Sequence, residues 1–279
     1  MQSAKTAKFY LIFTAILWSL GGVLIKWVDF SPLIVSGLRS LVAGVFLFLY
    51  FRPKLLPLNC PVFFGSLTYA LTVIAFVIAT KWTTAASAIL LQSTAPLYVA
   101  FFGIFYLNEK IQIKDSLILV LVALGMLLFF KDNISLENFK GNLFGLFSGF
   151  CFAWFILITR KSGSENTIQM IVLGNFLASI MSLSWAWPLG DLNYQGLGGV
   201  FVLGVFQLAL PYALYSKAIS HVSALETSLI ALIEPILNPI WVYLILAEKP
   251  GPWAIVGGII VIASVAFRSF ILNRTTRRL

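Results

Sequence analysis

Residues 218–249 read AISHVSALETSLIALIEPILNPIWVYLILAEK, and residues 79–110 read ATKWTTAASAILLQSTAPLYVAFFGIFYLNEK. Set one above the other, at an offset of 139, they share seven identities without a gap. These are Ala79/Ala218, Ala85/Ala224, Leu90/Leu229, Pro96/Pro235, Leu107/Leu246, Glu109/Glu248 and Lys110/Lys249. Apolar stretches often match by chance, so the specific points are the internal proline and the closing Glu-Lys, which recur in register. Each stretch holds an apolar run of roughly 20 residues, long enough to cross the hydrocarbon core of a bilayer.

The rest of the chain has the same character. Of its 279 residues, 60% are hydrophobic and 10% charged, and its mean hydropathy is +0.96. Soluble domains run near 45–50% apolar and about 25% charged. A chain this apolar cannot cover a water-facing surface, whereas lipid accepts an apolar exterior. Ten segments are predicted to span: 6–26, 32–51, 61–80, 84–107, 115–130, 141–159, 167–188, 197–216, 222–246 and 252–272. The N-terminal run is read as the first span, since it continues past signal-peptide length without a cleavage site. Connectors such as Asp29-Phe30-Ser31-Pro32 leave no room for a domain outside the membrane.

The formal charge of +9 is a topology signal. Thirteen of the nineteen basic residues fall in alternate connectors and tails: Lys5, Lys8, Arg52, Lys54, Lys110, Lys114, Arg160, Lys161, Lys217, Arg268, Arg274, Arg277 and Arg278. Lys26, Lys81, Lys131, Lys140 and Lys249 lie on the other side, and Arg39 lies within a span. The positive-inside rule then puts both termini in the cytoplasm, as an even number of spans requires. The expected location is a bacterial cytoplasmic membrane, and the basic balance implies no nucleic-acid partner. Five spans per half, 1–135 and 136–279, is an odd number, so the second half must enter the membrane inverted. The first and sixth segments also align, more weakly, with Lys26 and Arg160 closing them. Inverted repeats are a device of secondary transporters working by alternating access.

The stretch Leu17-Trp18-Ser19-Leu20-Gly21-Gly22 ending in Lys26, Ser36-Gly37-Leu38-Arg39, Ala95-Pro96 with Asn108-Glu109-Lys110, and the echo Glu234-Pro235 with Ala247-Glu248-Lys249 together resemble the EamA-type branch of the drug/metabolite transporter superfamily. The resemblance covers essentially the whole chain. It implies an all-α polytopic protein of ten transmembrane helices in two inverted five-helix repeats. It also implies a central cavity lined by the first, third, fourth, sixth, eighth and ninth spans. Family members export amino acids and other metabolites, and distant relatives exchange sugar phosphates or nucleotide sugars. The resemblance places an arginine such as Arg39 at the periphery of the cavity.

An ionisable side chain at the centre of a spanning helix costs about 2.5–3.5 kcal/mol on insertion scales, so its default reading is functional. Glu234 lies near the middle of the ninth segment, beside Pro235 and four residues before Pro239, in a four-residue series with Glu226, Ile230 and Asn238. Glu234 is read as the anchor for a substrate amine or a coupling proton. The alternative is a structural carboxylate paired with Arg39. Glu226 and Asn238 are further candidates for substrate contact. Arg39 can hold a substrate carboxylate, or pair structurally, or snorkel to the outer interface. Mid-span Trp18, Tyr69, Tyr98, Trp154 and Tyr212 offer apolar faces with polar handles, against a plain packing role. Gln92, Gln207 and Asn175 serve either substrate or interhelical hydrogen bonding. Trp27, Trp82 and Trp253 fit the interfacial aromatic belt, and His221 a surface connector.

Cys60 and Cys151 build neither a disulfide framework nor a metal site. The sequence contains no phosphate-binding Gly-Lys loop, metal-ligand cluster or nucleophile elbow, so neither cofactor nor enzymatic activity is expected. The reading is a monomeric secondary transporter, an exporter or exchanger of amino acids or similar small amphipathic metabolites, with possible proton coupling. Cationic drugs or quaternary amines are the alternative cargo. A phosphate cavity would call for more than one embedded cation, and a channel fits the asymmetric polar stripe less well.

Overall fold

A computed structural model of the chain describes residues 4–53, 59–109, 113–133, 138–246, 252–253, 255–261 and 263–264. Its regular structure is helical, with no strand among the described residues. Seven helical segments are long and apolar enough to cross a membrane: Ala4–Trp27, Pro32–Phe51, Cys60–Trp82, Ala85–Tyr106, Phe139–Ala186, Tyr194–His221 and Ala224–Ile245. The helices are α1 (Ala4–Trp18), α2 (Gly21–Trp27), α3 (Pro32–Phe51), α4 (Cys60–Trp82), α5 (Ala85–Gln92), α6 (Ala95–Tyr106) and α7 (Ile113–Asn133). There follow α8 (Phe139–Ala186), α9 (Tyr194–Val202), a π-helical stretch Leu203–Ala209, α10 (Leu210–Ala218), a 3-10 turn Ile219–His221, α11 (Ala224–Ala231) and α12 (Ile233–Leu246).

Three points separate these seven from the ten segments read in the sequence. α8 counts once, yet its 48 residues would run ~72 Å at 1.5 Å per residue, more than twice the hydrocarbon thickness. Gly163 interrupts it at φ 80°, ψ 172°. A Cβ there would meet nothing, so the backbone angle alone calls for glycine. The connector expected at Arg160-Lys161 is therefore helical, and the chain turns two residues later. In α7 the apolar part is shorter, Asp115–Leu128. The tenth segment beyond Ser264, the Glu248-Lys249 pair, Lys54, Lys110 and the basic tail lie outside the described residues.

Three spans are broken halfway, and proline sets two of the breaks. Proline lacks an N–H, and its ring crowds the carbonyl four residues earlier. α5 ends at Gln92, four before Pro96, and α11 ends at Ala231, four before Pro235. The first span breaks at Ser19-Leu20, just before Gly21-Gly22, a small-residue pair of the kind that kinks helices. A fourth span, Tyr194–His221, stays helical but widens to a π-helix; Gln207, within it, is four residues before Pro211.

The two proline-broken spans share one layout at the offset of 139. Thr84 and Ser223 each cap the N-terminus, accepting from the backbone N–H of Ser87 (3.0 Å) and Glu226 (3.2 Å), the ordinary role of a hydroxyl N-cap. Eight helical residues follow in each, then the break, then the proline helix. α11 packs on α6, and α12 on α5, so the two broken spans lie antiparallel. The basic residues that close the first and sixth segments behave alike. Lys26 Nζ donates to the Thr83 carbonyl (2.8 Å) and Arg160 Nη1 to the Ser220 carbonyl (2.6 Å), each near the entry of a broken span. These ends define two faces of the molecule, the Thr83 face and the Glu109 face.

Lipid tails are as apolar as leucine, so burial of apolar surface does not drive these helices together; close packing does. α8 runs along α3 and α4 on small residues. A Cβ on Gly174 would stand 2.8 Å from the Ser66 carbonyl and 2.7 Å from the Tyr69 ring; on Gly37 it would meet Leu183 at 2.6 Å; on Gly149, the Gln92 carbonyl at 2.8 Å. Phe9, Phe105 and Leu244 face outward, as lipid allows, and Trp27, Trp82 and Trp253 are exposed near helix ends. His221 is exposed in its 3-10 turn.

Gly174→Ala should destabilise the protein by about 1–3 kcal/mol, the cost of overpacking a close contact, because backbone opposes the new methyl. Gly198→Ala, where a Cβ meets nothing within 4 Å, should leave the melting temperature in detergent unchanged. Equal melting of both variants would show that α4 and α8 are not held by this contact.

Candidate substrate cavity

The breaks gather at one depth, and a hollow opens there with about 330 Å³ of empty space, the space at its open mouth included. Seven spanning segments contribute to its wall: Trp18 from the first, Arg39 from α3, Thr72, Val73 and Phe76 from α4, Gln92 from the end of α5, Phe152 from α8, Gln207 and Tyr212 around the π-helical stretch, and Glu234 from the first turn of α12. A second hollow of about 230 Å³ shares Gln92, Phe152 and Glu234 and reaches the starts of α6 and α12. Glu234 thus stands between the two.

Glu234 is 8% exposed and makes no hydrogen bond or ion pair among the described residues. Arg39 is 1% exposed. Its Nη1 donates to Gln207 Oε1 (2.9 Å) and its Nη2 to the Val73 carbonyl (3.1 Å), while Nε has no partner. Neither snorkelling nor pairing with Glu234 describes this arginine. The ion pairs among the described residues are Lys8–Glu226 (2.7 Å) and Arg160–Glu109 (3.6 Å). Arg39 is also not peripheral, as the resemblance implied, but part of the wall. Two local features hold it there. A Cβ on Gly204 would stand 2.8 Å from the Arg39 carbonyl, so glycine there lets the neighbouring span pass close, and the π turn carries Gln207 within reach; π-turns inside helices often mark functional positions. Gly21 is needed beside them, since a Cβ there would stand 2.7 Å from Gln207 Nε2.

Below the cavity, toward the Glu109 face, aromatic rings close the protein. Trp18 and Tyr212 meet at 5.0 Å, Tyr69 and Tyr212 at 4.7 Å, and Phe155 and Tyr215 at 5.5 Å, within the range of favourable ring pairs. Tyr69, Phe155 and Tyr215 each lie about a helical turn nearer that face than Thr72, Phe152 and Tyr212. Two tyrosine hydroxyls find partners within the layer, Tyr69 in Asn175 and Tyr215 in Thr159, both at 2.8 Å. Trp18 Nε1 has no partner.

Of the residues singled out in the sequence, Glu234, Arg39, Gln92, Gln207, Trp18 and Tyr212 come together. The others do not join them. Glu226 sits in the first turn of α11, capped by Ser223 and paired with Lys8. Asn238 donates to the Ser19 carbonyl (3.0 Å), bracing the break in the first span. Tyr69 belongs to the aromatic layer; Tyr98 packs on Phe150, and Trp154 on Phe102 and Tyr106. The series Glu226, Ile230, Glu234, Asn238 is no continuous stripe, because the helix stops between α11 and α12. Thr72, Val73, Phe76 and Phe152 were not foreseen: they are ordinary apolar or hydroxyl residues of long helices, with no mark in the sequence.

A model of the EamA-like transporter family matches the chain twice, over residues 5–131 and 139–270. An uncharacterized transporter of Archaeoglobus fulgidus is 28% identical over 206 residues, 70% of this chain and 71% of that protein. An S-adenosylmethionine uptake transporter of Rickettsia felis is 27% identical over 214 residues, 74% of this chain and 67% of that protein. One solved crystal structure superposes with a TM-score of 0.78 at 13% identity, over 97% of this chain and 99% of the other; that likeness speaks to the fold alone.

Gln207→Leu should leave a buried guanidinium N–H without its acceptor and cost about 1.5–3 kcal/mol, the range for hydrogen bonds to charged groups. Gln207→Glu, which hands Arg39 a carboxylate, should melt at or above the wild-type temperature. If Gln207→Leu melts like wild type, this bond does not hold Arg39 in the wall.

Proposed function

This chain belongs to the EamA-like transporter family, and we propose that it is a ten-span secondary carrier of amino acids or similar small amphipathic metabolites, working by export or exchange. The single observation that carries the reading is the carboxylate of Glu234, without a hydrogen-bond or ion-pair partner among the described residues, in a cavity between two antiparallel broken spans. A channel needs a continuous path, whereas here an aromatic layer closes the cavity on one side. A carrier needs a site reachable from one face at a time, and two related halves that can exchange conformations.

Several observations support halves at 1–135 and 136–279 with inverted topology. The family model matches twice, the broken spans repeat at one offset, and they run antiparallel. Both ion pairs among the described residues, Lys8–Glu226 and Arg160–Glu109, join the first half to the second near the Glu109 face. Glu109 also accepts from the Ala224 amide at 3.4 Å, fastening α6 to the start of α11. This is the closed side of an alternating-access cycle, and the basic residues counted in the sequence make it the cytoplasmic side of a bacterial inner membrane. Glu234, Gln92, Gln207, Trp18 and Tyr212 serve as the substrate contacts. A purely cationic cargo fits less well, because Arg39 shares the wall.

The test is counterflow in liposomes, with a labelled panel of amino acids, amines and S-adenosylmethionine, each with and without a pH gradient. S-adenosylmethionine carries an amino-acid group and gives the Rickettsia felis relative its name, so it belongs in the panel. Exchange of a panel member without ion conductance is the expected result. Glu234→Gln should reduce that exchange between about tenfold and a hundredfold, the worth of a charge-assisted hydrogen bond. Steady conductance with no exchange of any compound would sink the carrier reading, and wild-type exchange by Glu234→Gln at every pH would remove that residue from the site.

A further inference from the structure

α3 and the spanning segment Tyr194–His221 are joined at the depth of the cavity and part below it. At that depth a Cβ on Gly204 would stand 2.6 Å from Val42, and Arg39 donates to Gln207. The packing of α3 is close along α9 and the π-helical stretch and falls away along α10. Phe46 and Tyr50 follow Val42 by one and two turns on the same face of α3. Yet they stay 41% and 64% exposed and stack on one another at 6.4 Å. A cleft facing lipid therefore opens between α3 and α10 toward the Glu109 face. Two cations stand at its mouth: Lys217 Nζ lies 5.8 Å from the centre of the Phe51 ring, and Arg52 directly follows Phe51. Both are exposed, and neither side chain makes a hydrogen bond or ion pair among the described residues. Their neighbours on this face are engaged, Lys8 by Glu226, Arg160 by Glu109, and Lys161 by the Tyr106 ring and carbonyl. Glu165 is on the same face, beside Ser164, whose hydroxyl meets that of Ser220 at 2.9 Å, and it pairs with neither cation.

We propose that this cleft seats one anionic phospholipid, its phosphate between Arg52 and Lys217 and an acyl chain along Phe46 and Tyr50. Charge complementarity names the partner. The cytoplasmic leaflet is anionic, and basic groups between spanning helices on that side take lipid headgroups; the face with the basic excess is that side. A phosphate accepts in a fork from a guanidinium and as a point charge from an ammonium. The apolar face beneath calls for a hydrocarbon chain, which a free phosphate lacks. A chain in the cleft also restores the van der Waals contact that the parting helices give up, and such contact is what holds helices together in lipid. The headgroup ties the end of α3 to α10, bracing from outside the two segments that Arg39 and Gln207 join inside. The seat lies apart from the substrate cavity and depends on the orientation of the chain in the membrane, not on what the cavity carries.

The experiment takes the full chain, delipidated in a neutral detergent, and titrates it with dioleoyl phosphatidylglycerol or, in parallel, dioleoyl phosphatidylcholine. The readout is the melting temperature. Phosphatidylglycerol should raise it above the value reached with phosphatidylcholine. Arg52→Gln and Lys217→Gln should each raise the lipid needed for half of that rise by about fivefold, what one Lys or Arg near an anionic surface is worth. Lys217→Arg, which keeps the charge, and Lys161→Gln, which removes one elsewhere on the same face, should move the half-point by less than about twofold. Glycerol 3-phosphate, a headgroup without chains, should give no rise. All three substituted residues are exposed, so each variant should melt like wild type in phosphatidylcholine. Equal melting of wild type in the two lipids would overturn the proposal and needs no variant to be seen. A half-point that moves as far for Lys161→Gln as for Lys217→Gln would overturn it by showing general attraction to charged lipid. An equal rise with glycerol 3-phosphate would overturn it in favour of a soluble anion. Counterflow enters none of these readings, so the carrier reading can fail while the lipid seat stands, and the reverse.

Discussion

A helix broken halfway across hydrocarbon strands amide and carbonyl groups where water cannot reach them, and every other feature of this protein answers that constraint. The first span breaks at Ser19-Leu20, and the ninth segment repairs it: Asn238 Nδ2 donates to the Ser19 carbonyl and Trp241 Nε1 to the Ser19 hydroxyl. Thr14 Oγ1, in turn, donates to the Pro211 carbonyl (3.1 Å), where the eighth segment leaves its π turn. Ser93 and Thr94 bond back to carbonyls of their own broken span. Ser148 donates to the Thr72 carbonyl and accepts from Gln92. Because a partner often comes from another span, one break fixes the position of the next. The breaks must cluster, and the irregular backbone at membrane depth surrounds a hollow, as it does where such backbone lines a cavity.

That hollow explains why two embedded ionisable side chains are tolerated. Each costs about 2.5–3.5 kcal/mol at the centre of a spanning helix, and direct pairing would recover much of it. The geometry forgoes this recovery: Gln207 and the Val73 carbonyl hold Arg39 to one side, and Glu234 rises from the first turn of α12 on another. A binding site that has to release its cargo is well served by such an arrangement. In the proposed carrier both groups stay available to a ligand, since no ion pair between them has first to break. The ion pairs that form among the described residues lie near the rim, Lys8–Glu226 and Arg160–Glu109, away from the cavity.

Much of this was legible in the amino-acid order, for physical reasons. Hydropathy runs locate segments because lipid demands about 20 apolar residues, and proline marks two of the breaks because a missing N–H is felt four residues back. Glu234 could be picked out because a carboxylate in such a run is rare. Other features could not be read. Asn238 and Glu226 share Glu234's four-residue spacing, yet that spacing carries meaning only along an unbroken helix, and Leu232 ends it. Arg39 is one residue in an apolar helix; only the π turn that delivers Gln207, and the glycine that admits it, place its guanidinium in the wall. Thr72, Val73 and Phe152 owe their positions to which face of a long helix meets a hollow, a property of packing among several spans.

The most direct measurement is a structure of the carrier with its counterflow-selected cargo bound, at a resolution that shows the ligand's polar groups. The account predicts a polar group of the ligand on the Glu234 carboxylate, with the rest of the ligand against Trp18, Gln92, Gln207 and Tyr212. A structure in which Arg39 and Glu234 pair directly with each other, while the ligand sits elsewhere, would contradict it.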